Sequence, residues 1–467
     1  MKPFYVTTPI YYVNAKPHVG SAYTTIAADV LARWQKQQGE PVRFITGTAE
    51  HGDKIAQSAE AADQTVQTFS DGNAEYFKQA WSALNIAQDD FVRTSEQRHA
   101  AAVSDFFTRL KESGQIYEGE YEGLYCVGHE AFIKESELNE AGECPDHGTK
   151  PETVQEKNWF FKLSAYGEVL KQKITSDEFA IAPAKRKNEV LAFIDQGLED
   201  IAISRQSVAN ALPLPWDETQ TIYVWLDELW SYHTASQGAW PADVHLVGKD
   251  IIKFHCIIWP ALLLAIGEAL PKKVYAHGFF TVNGQKISKS LGNAIDPVEL
   301  SDEWGADALR YYLLRDIPFG NDGDFSHDRL KERYNADLAN GLGNLVSRTL
   351  NMIQQFWADY EGAGEVPGGV QALIDQANQH TSELAFDKAL ASIWQAIAWA
   401  DALIEERKPW ELATTHPTPP LSGRESKKNA PPDKGELEGV LSQLYATLVA
   451  VNGALAPYLP ETHQKLS

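Results

Sequence analysis

Three short β-rich runs open the chain: Phe4-Tyr5-Val6-Thr7-Thr8, Val42-Arg43-Phe44-Ile45-Thr46 and Phe91-Val92-Arg93. Stretches of helical length and periodicity separate them. Strands that alternate with helices pair in parallel, because the crossover helix carries the chain back to the sheet's starting edge. This rhythm predicts an α/β fold with a doubly wound, Rossmann-like parallel sheet whose ligands gather at the carboxyl ends of its strands. Pro9 is expected to stop the first strand, and residues 10–17 to form a loop. A helix is expected from Gly20, through Ala22, Ile26, Val30 and Leu31. His18, Gly20 and Ser21 then fall at a strand-to-helix turn, where unpaired N–H groups and the helix dipole favour phosphate. His51, just past the second strand, falls at the same edge.

Far downstream, Lys286-Ile287-Ser288-Lys289-Ser290 follows Asn283-Gly284-Gln285. Two mobile ammonium groups and two hydroxyls in five residues suit a polyphosphate. Such a run is more often a solvated basic patch, and a lone His at a turn is more often an ordinary surface residue. Their co-occurrence in one chain carries the argument. Between them, an expected strand Thr221-Ile222-Tyr223-Val224-Trp225 leads to Glu228 and Tyr232. Another, Val244-His245-Leu246-Val247, leads to Gly248-Lys249-Asp250 and a helix with Ile251, Phe254, His255 and Trp259. A carboxylate just past a strand end suits ribose hydroxyls. Aromatics clustered at strand ends either fill the core or line a pocket.

A metal signal lies in the middle of the chain. Cys126 and His129, then Cys144 and His147, form two ligand pairs at x-x spacing about a hairpin apart. Two of only three cysteines fall here, and tetrahedral zinc accepts thiolate and imidazole alike. Four protein ligands leave no open position, so the site reads as structural. So few cysteines fit no disulfide framework and point to a reducing cytoplasm, as does the lack of a leader-like start. The longest apolar run, residues 257–266, is too short to span a bilayer. A net charge of −23 excludes a nonspecific nucleic-acid coat, though not a specific RNA partner. Beyond Asp302 the pattern is helical, ending in a stripe of Val440, Leu444, Leu448, Val451 and Leu455. Within it, residues 415–438 read as a disordered insertion, poor in apolar side chains.

With these stretches in place, the chain resembles the methionine-activating class I aminoacyl-tRNA synthetases of the bacterial one-zinc type. Thr7-Thr8-Pro9-Ile10-Tyr11-Tyr12-Val13-Asn14 with Pro17-His18-Val19-Gly20 matches the first block of that family. Ala276-His277-Gly278 with the Lys286–Ser290 run matches the last catalytic block. Asp324-Phe325-Ser326, Asp337 to Asn340, Gly343 to Arg348, and Lys408-Pro409-Trp410-Glu411-Leu412 match its stem-contact and anticodon-binding parts. The resemblance implies five segments. Residues 1–115 and 219–270 form a split catalytic domain and 116–218 a connective insertion with the zinc knuckle. Residues 271–330 hold the basic loop and stem-contact region, and 331–467 a helical anticodon-binding domain.

The resemblance further implies a ligase that activates methionine with ATP and Mg2+ and charges a tRNA, as a cytoplasmic monomer. His18, Lys286 and Lys289 would stabilise charge on the phosphates. Gly20, Ser21, Gly248, Asp250 and Ser288 would complete the ATP site. Ile10, Tyr12, Trp225, Glu228, Tyr232, Ile251, Phe254, His255 and Trp259 would form the amino-acid pocket, and Asn344, Arg348 and Trp410 would read the anticodon.

Two departures bear on the substrate. The family pattern Gly-Thr-Asp-Glu-His-Gly reads Gly47-Thr48-Ala49-Glu50-His51-Gly52 here, so the Asp that accepts the substrate's ammonium is a methyl group. Glu228 stands where the family has a small Ala. Its carboxylate either turns away, takes over the ammonium contact, or pairs with another side chain. The alternative to methionine–tRNA ligation is a repurposed relative activating another amino acid for a different acceptor.

Overall fold

The computed structural model describes residues 2–126, 131–133, 135–145, 148–206, 208, 210–282, 284–287, 293–357, 364–414 and 434–467. Its contacts divide into two compact units, Met1–Phe280 with Lys286–Glu299, and Thr281–Gln285 with Leu300–Ser467.

The first unit is built on a six-stranded parallel sheet. Its order is Asp90–Arg93, Val42–Ala49, Phe4–Tyr12, Val244–Gly248, Lys273–His277, Ala180–Ala182. The order runs outward in two directions from Phe4–Tyr12, so the switch point lies between that strand and Val244–Gly248. Crevices for ligands open at such points. Helices cover the sheet, and the core holds the β-branched and aromatic strand residues, with Tyr5, Val6, Phe44, Ile45, Leu246 and Val274 wholly buried.

Several expectations need correcting. Pro9 does not end the first strand: pairing with Val42–Ala49 shifts register between Thr7 and Ile10 and then resumes through Tyr12. A bulge accommodates the missing N–H without ending the strand. The run Thr221–Trp225 is not one strand. Strand Asp217–Ile222 pairs antiparallel with Ser204–Gln206 and Pro213–Leu214, outside the parallel sheet, and helix Val224–Thr234 begins two residues later. The stretch expected as a separate insertion (116–218) carries an antiparallel sheet of Ala131–Ile133, Ile116–Cys126, Glu152–Phe161 and Ile201–Ala202. It also returns strand Ala180–Ala182 to the edge of the parallel sheet, against Lys273–Tyr275.

The second unit is largely helical. Asp324, on strand Gly323–Phe325, accepts from the Thr281 hydroxyl (2.7 Å) and the Gly284 N–H (2.9 Å). Helices Ala306–Arg315, Asn344–Phe356, Gly368–Ser382, Phe386–Arg407 and Lys434–Leu455 follow. The stripe on the last is buried as its spacing predicts, from 0% exposure at Leu444 and Val451 to 9% at Leu448. Burying each such side chain is worth about 1.5–3 kcal/mol. Arg310 is wholly buried and donates to the carbonyls of Pro457 (2.8 Å) and Tyr458 (2.9 Å). That helix begins at Lys434, so residues 434–438 of the expected insertion are helical. Residues 415–433 lie outside the described residues.

Candidate active site

The helix Val19–Gln37 starts at the switch point, and its first turn is built by the expected motif. His18 is the N-cap, and its Nδ1 accepts from the Gly20 N–H at 3.0 Å. The Ser21 hydroxyl accepts from the His18 N–H (3.1 Å) and donates to the His18 carbonyl (2.7 Å). Each side chain satisfies a backbone donor of the first turn, which is a capping box with histidine in the usual serine role. A Cβ on residue 20 would sit 2.9 Å from the imidazole, so glycine is what lets that ring lie over the helix end. The Val19 N–H donates to the Ile295 carbonyl at 3.0 Å, which anchors the segment following the Lys286–Ser290 run to this turn.

Across the switch point, strand Val244–Gly248 ends in a tight turn, Lys249–Ile251. Asp250 is exposed there, and its carboxylate folds back so far that a Cβ on Gly248 would lie 2.6 Å from it. Glycine thus keeps the strand end open and the carboxylate close. Lys286 lies on a short strand, Gln285–Lys286. Ser288 and Lys289 lie outside the described residues.

The expected amino-acid pocket is brought together by helix Val224–Thr234 and the turn of π-helix Phe254–Ile258. Trp225 stacks on Phe254 with centroids 4.0 Å apart. The Tyr232 hydroxyl is 2.7 Å from His255 Nε2, and His255 Nδ1 is 3.0 Å from the Ile251 carbonyl. A carbonyl only accepts, so Nδ1 carries the proton and Nε2 accepts from the tyrosine. Burial holds the His255 imidazole at about 4, so it is neutral at ordinary pH. Burial, reinforced by the nearby Glu228 charge, pushes the Tyr232 phenol well up, and it stays a donor. Ile10 is 6% exposed, and Tyr12 and Ile251 are half-buried against the same core. Trp259 is wholly buried, edge-on to Trp230 (5.7 Å) and Trp240 (5.7 Å), so it backs the wall.

Two carboxylate clusters at this edge are not evident from the chain's order. Glu50 is buried and accepts from Arg93 Nε (2.6 Å) and Nη2 (2.9 Å), Thr48 (2.6 Å) and Ser95 (2.6 Å). Asp227 is buried between His51 Nδ1 (2.7 Å) and His99 Nε2 (2.9 Å), while His99 Nδ1 contacts Thr234 at 3.0 Å. Burial alone would raise the Asp227 carboxyl, but the two imidazoles hold it at about 2. Burial opposes a charge on His51, yet Asp227 prevails and raises its pKa. Sequence adjacency hides both clusters, because their members lie 43 and 176 residues apart.

Of the expected zinc ligands, Cys126 (1% exposed) and Cys144 (wholly buried) are in no disulfide. The Cys144 N–H donates to the Thr149 carbonyl and its carbonyl accepts from Gly148, both at 2.8 Å, closing a knuckle-like turn. Buried thiols at a strand end and in such a turn fit zinc. His129 and His147 lie outside the described residues.

In the second unit, Asn344 and Arg348 lie one turn apart on helix Asn344–Phe356. Arg348 pairs with Glu405 at 2.7 Å, and Trp410, on Pro409–Thr414, is 38% exposed.

The family described as "tRNA synthetases class I (M)" matches residues 4–149 and 146–350. The chain belongs to that family. This class I synthetase is 42% identical over 486 residues to the methionine–tRNA ligase of Caldanaerobacter subterraneus subsp. tengcongensis, covering 100% of itself and 73% of the relative. It is 41% identical to that of Thermotoga maritima, covering 99% of itself and 74% of the relative. Among solved structures, Mycobacterium tuberculosis methionyl-tRNA synthetase in complex with methionyl-adenylate superposes with a TM-score of 0.90 at 37% identity, covering 100% of this synthetase and 93% of that chain. Among its described residues, no helix is long and apolar enough to cross a membrane.

Proposed function

We propose that this class I synthetase activates methionine with ATP and transfers it to a methionine tRNA. The observation that carries this reading is the junction at the switch point: the His18 cap, the Ile295–Val19 bond and the Gly248–Asp250 turn follow the carboxyl ends of two adjacent parallel strands. In the first step the methionine carboxylate attacks the α-phosphorus of ATP, the bond to the β-phosphate oxygen breaks, and pyrophosphate leaves. No protein nucleophile is needed, so positioning and electrostatics supply the rate.

His18, Lys286 and Lys289 stabilise negative charge on the phosphates, with Ser288 as a donor; Gly20 and Ser21 shape the ATP site by holding His18 over the helix end, and Gly248 and Asp250 receive the ribose. Mg2+ bound to ATP would neutralise part of the phosphate charge. Ile10, Tyr12, Trp225, Ile251 and Phe254 enclose the thioether, and the Tyr232–His255 pair, backed by Trp259, fixes the pocket's depth. Asn344, Arg348 and Trp410 read unpaired anticodon bases by hydrogen bonding and stacking. Cys126, Cys144, His129 and His147 would hold one structural zinc, which would cross-link the two ligand pairs.

ATP–pyrophosphate exchange with each of the twenty amino acids, followed by tRNA charging, tests the reading. Methionine alone is expected to support both. Exchange with another amino acid and none with methionine overturns it. Metal analysis is expected to find one zinc per chain, and a folded, metal-free protein would remove that part.

A further inference from the structure

A methionine zwitterion brings an ammonium into a largely apolar pocket, and a buried cation is tolerated only beside an anion. Three buried carboxylates surround this strand edge: Glu50 at 1% exposure, Asp227 at 2% and Glu228 at 5%. Glu50 is saturated by Arg93, Thr48 and Ser95. Asp227 is engaged on both oxygens by His51 and His99. Glu228 is placed differently. On helix Val224–Thr234 it follows Trp225 by three residues and precedes Tyr232 by four, so it shares a helix face with these two pocket residues. Its charge acts on the Tyr232 phenol.

The His51–Asp227 hydrogen bond holds in place the helix turn that carries Glu228. It clamps the end of the second strand to the start of this helix. Ala49 lies two residues before His51, wholly buried and paired with Tyr12, and offers only a methyl group. Glu228 is the immediate neighbour of Asp227 on the other side of the clamp. The same junction therefore presents an inert strand end and an acidic helix.

We propose that Glu228 is the residue that binds the α-ammonium of the amino-acid substrate, from the helix side of the pocket. This rests on the methionine reading given above. The thioether then runs along Trp225 and Phe254.

The test is methionine-dependent ATP–pyrophosphate exchange in Glu228→Gln, Ala49→Asp and the double variant Ala49→Asp/Glu228→Ala, with unfolding midpoints measured for each. Glu228→Gln preserves shape and removes the charge. It is expected to raise the methionine KM by roughly ten- to a hundredfold and leave the ATP KM unchanged. The double variant is expected to recover most of that loss. Methioninol, which keeps the ammonium and lacks the carboxylate, should lose affinity for Glu228→Gln, whereas 4-(methylthio)butanoate, which lacks the ammonium, should not. An unchanged methionine KM in Glu228→Gln overturns the proposal while the wild-type activity upholds the methionine reading. Equal losses for both analogues assign Glu228 a structural role and overturn it too. A wild-type protein inert toward methionine but active on lysine or ornithine overturns the methionine reading itself, with Glu228 then facing a basic side chain.

Discussion

The two units place their candidate functional residues in opposite ways. At the sheet edge of the first, each important side chain is held by a partner distant in sequence: Glu50 by Arg93, His51 by Asp227, Tyr232 by His255. Glu50, His51 and Tyr232 are buried, and the charges of Glu50 and His51 are matched inside the protein. In the second unit, Asn344 and Arg348 stand on one helix face, Trp410 is partly exposed, and Arg348 meets Glu405 at the surface. The sheet edge is an over-determined site in which removing one partner strands another. The helical surface is a set of nearly independent contacts. Chemistry at a phosphate needs the first, because a donor misplaced by 1 Å loses much of its effect. Reading unpaired bases tolerates the second.

Arg93→Ala should break that contrast most visibly. It leaves the Glu50 carboxylate buried with hydroxyl donors alone, a loss of about 3–5 kcal/mol in urea denaturation followed by tryptophan fluorescence. A change below about 1 kcal/mol would mean the edge is not over-determined. Lys289→Ala should act on chemistry and leave the fold intact. Adenylate formation should slow by roughly a hundred- to a thousandfold with an unchanged unfolding midpoint, and near-normal exchange would assign the basic loop another role.

Asp227→Asn sharpens the comparison through pH. The Asp227 carboxyl is held at about 2, below its usual range, so its stabilisation is present above about pH 4 and fades as pH falls toward 2. His51 is raised above its usual value near 6.5, so its share is present below that pH and is lost as pH rises through its folded value. The variant should therefore lose about 2–3 kcal/mol near pH 5 and distinctly less near pH 9. A loss independent of pH would show that packing, not charge, binds the two segments. Smallest of all, Arg348→Ala should change stability by about 0–1 kcal/mol, as exposed ion pairs do. Its effect should appear only as a raised KM for tRNA, with pyrophosphate exchange untouched.

Much of this arrangement was legible from local pattern. The His18 turn could be read because the cap, its glycine and the following apolar period are all contiguous. The last helix could be read because Val440 to Leu455 repeat at helical spacing. The failures share a cause in tertiary context. Tyr223, Val224 and Trp225 have strand propensity, yet the turn after Ile222 and the burial of Leu226, Leu229 and Trp230 make a helix there. Residues 434–438 carry a single apolar side chain, Leu437, too little to show a period; it is buried at the start of a helix whose later turns are packed. Strand Ala180–Ala182 is three residues long and carries no pattern that names Lys273–Tyr275 as its neighbour. The clamp of His51 on Asp227 is likewise invisible until the sheet is assembled.

The order of the strands also sets a timetable for synthesis. The central strand leaves the ribosome long before one of its partners, because Val6 pairs with Val244. At about 5–20 residues per second, that partner arrives on the order of tens of seconds later. Ala180–Ala182 waits in turn for Lys273–Tyr275. Until then the nascent half-sheet presents the open edge of strand Phe4–Tyr12, the kind of surface on which chains stick to one another. A slower stretch of translation before residue 244 would prolong that exposure. Holding by a chaperone over the same interval would matter more for yield than any single contact in the finished protein.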